Sequence, residues 1–155
     1  MLLNDTHSVL TQWCQNRIFF AALWSWFIAQ TIKVVLGIRR EKRFNFRWFV
    51  GSGGMPSSHA ALSAGLTTAA GFSYGFDSGL FAVAFAWMAI TMFDAQGVRR
   101  QSGHQAEALN KILEDLYAHK GFQEERLKEL FGHTPVEVFT GAALGVVIAL
   151  LLHRH

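Results

Sequence analysis

Four stretches of the chain are nearly free of charge, and the polar residues gather in blocks between them. The first covers residues 17–38, almost all apolar or aromatic. At a rise of about 1.5 Å per residue it reaches across a hydrocarbon core of roughly 30 Å, which predicts a membrane-spanning helix. Its polar exceptions, Gln30, Thr31 and Lys33, fall toward the C-terminal end. Extension of the Lys33 ammonium group to the interface is the plainest account of a lysine there. Residues 56–73 and 79–95 predict a second and a third span, joined by a turn that carries Asp77 and no basic residue. The second is rich in Gly, Ala, Ser and Thr, which suits close packing inside a bundle better than contact with lipid. Residues 135–152 predict the fourth span, apolar apart from Glu137 and Thr140. Thr134 is its expected N-cap and Pro135 its first helical residue, and Pro56 is likewise expected at a helix start.

Between the third and fourth spans, residues 96–132 are polar, yet Ala108, Leu109, Ile112, Leu113, Leu116 and Tyr117 recur at helical spacing. One apolar stripe on a polar helix predicts an element lying along the membrane interface. Gly121 should end it, with a second short helix over 123–130. The loop after the first span holds Arg39, Arg40, Lys42, Arg43 and Arg47 against Glu41 alone, a bias that marks the cytoplasmic side. Four spans then place both termini outside and the polar helix ends together on the cytoplasmic face. The fold class expected is all-α: one domain over 1–155, an integral membrane bundle of about four transmembrane helices plus a cytoplasmic interfacial amphipathic helix.

Composition supports this picture. Of 155 residues 51% are apolar, with fourteen Phe and five Trp, more bulky apolar surface than a small soluble domain can bury. The net charge of +3 comes from basic residues beside apolar runs, so it reads as a topology signal and not as a nucleic-acid face. Cys14 stands alone, which excludes an intrachain disulfide and a cysteine-based metal site. The segment Met1–Gln15 is polar and lacks the features of a signal peptide, so it is expected to stay on the mature chain.

Two segments carry candidate chemistry. Gly51-Ser52-Gly53-Gly54-Met55-Pro56-Ser57-Ser58-His59 is a glycine-rich turn entering a helix, and a helix N-terminus offers amide donors and a positive dipole end to an anion. An ordinary serine-capped helix explains the loop equally well, but a helix start has no need of His59. The second segment, His133-Thr134-Pro135-Val136-Glu137, puts a histidine and a carboxylate four residues apart on one helical face. A carboxylate there can hold one ring nitrogen protonated and leave the other to attack. Glu137 is also an acid inside an apolar span, where charge is costly.

Taken in order, Lys33 and Arg40, Pro56-Ser57-Ser58-His59, Arg99 or Arg100, then His133 and Glu137 followed by Val138 and Gly141 resemble the type-2 phosphatidic acid phosphatase and vanadium haloperoxidase superfamily. The Gly-Gly-Met-Pro-Ser-Ser-His stretch and Asp94-Ala-Gln-Gly-Val-Arg-Arg100 are similar to a divergent, compact branch of bacteria and plant plastids. The sequence departs from the superfamily pattern at Glu41, Ser58 and Glu137, in having about four spans, and in the long insert between Arg100 and His133. The resemblance implies a metal-independent phosphatase with no cofactor, acting on a phosphate monoester of a lipid through a phosphohistidine. His133 would be the nucleophile, Glu137 its orienting partner and His59 the proton donor. Lys33, Arg40, Gly54, Ser57, Ser58, Arg99 and Arg100 would bind phosphate, with Asp94 in support. Expected partners are the phosphorylated substrate and membrane lipids, no nucleic acid, and a second copy of the chain. The location implied is a cell or plastid-type inner membrane, with the site on the cytoplasmic side. Two other readings stand beside it: a non-catalytic phosphate- or lipid-binding scaffold or transporter subunit, and a metal site built from His59, Asp94, His104, His133 and Glu137. His104 reads better as a solvated helix residue.

Overall fold

The computed structural model describes residues 11–42, 54–117 and 133–154, and within them every regular element is a helix. The helices are α1 (Arg17–Glu41), α2 (Ser58–Tyr74), α3 (Gly79–Gln96), α4 (Val98–Tyr117) and α5 (Pro135–His153). The basic loop beyond Lys42, the glycines 51–53 and the short helix expected over 123–130 lie outside the described residues.

Local signals set the helix ends. Asn16 caps α1 through its side chain, and Ser78 does the same for α3. Thr134 and Glu137 form a reciprocal capping box at the start of α5, with Pro135 in its first turn, so two donors of that turn are satisfied by side chains. The second helix begins later than expected, at Ser58 and not Pro56: Ser57 is the N-cap, accepting from the Ala60 amide, and Pro56 stands before it. The Met55–Pro56 peptide bond is cis.

α2 packs against α1, α3 and α5 and is the centre of the bundle. Glycines make this possible. A Cβ at Gly65 would collide with the Ser25 side chain of α1, one at Gly145 with the Ala61 carbonyl of α2, and one at Gly141 with the Ser57 backbone. Thr67 adds a polar tie, its hydroxyl lying 2.8 Å from the Ser63 carbonyl and 3.0 Å from the Ala84 carbonyl of α3. The interior is correspondingly small-sided: Ala21, Ala29, Ala60, Ala61, Ala64, Ala70 and Ala149 are buried, whereas Phe93 is 77% exposed and Val83, Trp87 and Ile90 face outward with it. Small residues inside and bulky apolar ones outside is the arrangement a bilayer favours, because lipid solvates the large side chains and close helix contact depends on the small ones. Among the described residues three helices, α1, α3 and α5, are long and apolar enough to cross a membrane. α2 is a shorter helix of 17 residues.

α4 follows α3 after Gly97 and packs against α3. Its Asn110 is buried, while Leu109 and Ile112 of the apolar stripe are 49% and 55% exposed. Leu109 and Ile112 therefore turn away from the bundle.

Candidate functional site

The C-terminal ends of α1 and α3 meet the N-terminal ends of α2 and α5, and Lys33, Ser57, Ser58, His59, His133 and Glu137 lie at this end. His133, just before α5, is 1% exposed. Its backbone amide donates to the Ala95 carbonyl at 3.1 Å, and its Nδ1 lies 3.3 Å from Glu137 Oε2. The same carboxylate oxygen accepts from the Thr134 amide at 2.9 Å. Glu137 therefore both closes the helix cap and holds the imidazole ring through Nδ1, and the other ring nitrogen, Nε2, is buried.

α2 supplies the second ring. His59, in its first turn, is exposed, and its centroid lies 6.5 Å from that of His133 with the planes 57° apart. The two helix starts are joined by a backbone bond from the Ser57 amide to the Glu137 carbonyl at 3.0 Å. Gly141 permits that approach. Ser57 and Ser58 are both buried. The Ser57 amide, one of the donors expected to cradle an anion, is instead committed to Glu137. The Ala60 amide is likewise taken, donating to the Ser57 hydroxyl, and the hydroxyls of Ser57 and Ser58 stand at this helix start.

Lys33 corrects the sequence reading. It does not reach outward to the interface: it is 8% exposed, and its aliphatic stem packs on Gly54, whose Cβ position lies 3.5 Å from Lys33 Cγ. Gly54 adopts a φ of +82°, a left-handed conformation that suits a residue without Cβ. Lys33 is also within electrostatic reach of Glu137. Gln30, one turn earlier, is buried beside it in the chain; only its place inside an apolar run hinted at this.

The long insert is less disruptive than its length suggests. Because the His133 amide bonds the Ala95 carbonyl, the chain leaves at the end of α3 and returns to the same point. Arg99 and Arg100 lie in the first turn of α4, only a few residues from Ala95. Asp94 is half-buried beside them in sequence. Arg40 is different: it sits exposed in the last turn of α1, two turns beyond Lys33. His104 lies on the solvated face of α4, with Glu107 Oε2 3.7 Å away and Lys111 Nζ 3.4 Å from Glu107.

An alanine-centred helical bundle with an apolar exterior defines an integral membrane protein with buried polar residues at this end. The chain belongs to the divergent PAP2 family, whose sequence profile matches residues 14–148. It is similar to the uncharacterized membrane protein YuiD of Bacillus subtilis (strain 168), 39% identical over 135 residues, covering 80% of this chain and 85% of the relative. No solved structure matches the chain.

Proposed function

We propose that the protein is a membrane-embedded, metal-independent phosphatase that hydrolyses the phosphate monoester of a lipid through a phosphohistidine. The observation that carries this reading is the 6.5 Å separation of the His59 and His133 rings. The two rings stand at neighbouring helix starts, close enough for one bound phosphate ester to be approached by a nitrogen of each. His133 Nε2 attacks phosphorus, and the bond to the leaving alkoxide breaks as His59 gives that oxygen a proton. Water, deprotonated by His59, then attacks the phosphohistidine; phosphate leaves and Nε2 recovers its electron pair. Glu137 holds the ring through Nδ1 and stabilises the cation that forms on it. Lys33 and the serine hydroxyls offset charge on the equatorial oxygens. Arg99 or Arg100 adds to them from the start of α4, and Arg40 and Asp94 act at the mouth.

In this reading α2 is a fourth span enclosed by α1, α3 and α5, and α4 lies on the cytoplasmic surface with Leu109 and Ile112 in lipid. The basic loop puts the site inside and both termini outside. The committed Ser57 amide and exposed Arg40 favour a second reading, a non-catalytic phosphate- or lipid-binding scaffold or transporter subunit. Purified protein in mixed micelles, offered phosphatidic acid, phosphatidylglycerophosphate and polyprenyl phosphates, separates the two by phosphate release. Release that vanadate inhibits, that chelators spare and that His133→Ala abolishes is the expected result. Equal release by wild type and His133→Ala would end the phosphatase assignment.

A further inference from the structure

The opposite end of the bundle holds a cavity of about 410 Å³ between the start of α1 and the ends of α2 and α5. Pro135 and His153 are separated by about 27 Å of helical rise along α5, so this cavity is remote from His133. Its lining is graded. Arg17 and His153 stand at the helix ends, and Phe20, Trp24, Ala69 and Ala149 form walls further in. No acidic side chain lines it among the described residues, and Arg154 extends the positive charge just beyond His153. The α1 N-terminus adds the positive end of its dipole. The ring of His153 is stacked on Phe72 at 4.7 Å, which holds it in place at the mouth.

We propose that this cavity binds one anionic glycerophospholipid from the leaflet facing away from the candidate catalytic end. Its phosphate pairs with Arg17 and His153, and the upper part of an acyl chain lies against Phe20 and Trp24. Polarity in the cavity falls from the helix ends toward the bundle middle, the same order in which headgroup and chain follow each other in a lipid. The volume lies within the roughly 300–1,000 Å³ of small-molecule sites. A soluble anion would use Arg17 and His153 and leave the aromatic wall unfilled, so a lipid fits both halves.

The test is native mass spectrometry of the full-length protein in micelles containing phosphatidylglycerol or phosphatidylcholine. Cys14 lines the cavity and is the chain's single cysteine, so its rate of alkylation by a neutral maleimide reports occupancy locally. Wild type should retain one phosphatidylglycerol in preference to phosphatidylcholine, and that lipid should slow alkylation. In the double variant Arg17→Gln, His153→Gln both effects should fall about tenfold or more, the worth of lost charge-assisted contacts. Ser73→Trp, which fills the cavity from its rim, should abolish them, and His133→Ala should leave them intact. Equal retention of both lipids, unchanged binding in the double variant, or full competition by soluble glycerol phosphate would overturn the proposal.

Discussion

Glu137 performs two tasks with one oxygen, and substitution can separate them. Oε2 accepts from the Thr134 amide at 2.9 Å and lies 3.3 Å from His133 Nδ1. Glutamine keeps an acceptor oxygen of the same reach, so Glu137→Gln should preserve the cap, with a stability change within about 0.5 kcal/mol, the scale of surface substitutions. Glu137→Ala removes the acceptor and should cost about 1 kcal/mol, the usual worth of a capping contact. Phosphate release should respond differently. A neutral amide oxygen in the same place no longer stabilises charge on the ring. Both variants should therefore lose activity by about 10²–10⁴, the range of a positioned acid–base group. The assay is release from a phosphatidic acid substrate in mixed micelles, beside thermal unfolding of the same preparations. A glutamine variant that turns over at the wild-type rate would refute the orienting role. One that loses activity only in proportion to its stability would reduce Glu137 to a cap.

Three further outcomes are expected. Gly141→Val should lower stability by about 1–3 kcal/mol, as overpacking does, because a Cβ there meets the Ser57 backbone; an unchanged unfolding midpoint would count against the α2–α5 seam. Lys33→Met keeps the stem on Gly54 and removes the ammonium group, so vanadate inhibition should weaken about tenfold while the unfolding midpoint holds or rises with the loss of a buried charge. Cys14 is exposed and, on the topology proposed, should react with an impermeant maleimide in intact cells. Labelling only after lysis would invert the orientation.

What the chain determines by itself is what near neighbours determine. Apolar runs long enough to cross a bilayer are visible as runs, which is why α1, α3 and α5 fall close to their expected bounds. The Thr134–Glu137 cap and the His133–Glu137 pair follow from spacings of three and four residues on one helix. The family resemblance depends on such short segments, and the family match bears it out. Other features required tertiary structure. Lys33 reads as a snorkelling residue until Gly54 is seen against its stem, and the second span reads as tightly packed but without named partners until the structure sets it against α1, α3 and α5. The separation of Arg100 from His133 looks like a broken motif until the His133 amide is found on the Ala95 carbonyl. In each case the deciding contact joins residues far apart in sequence and involves a backbone group or a glycine. Such positions carry no side chain that could announce a partner, so only the packed helices reveal it.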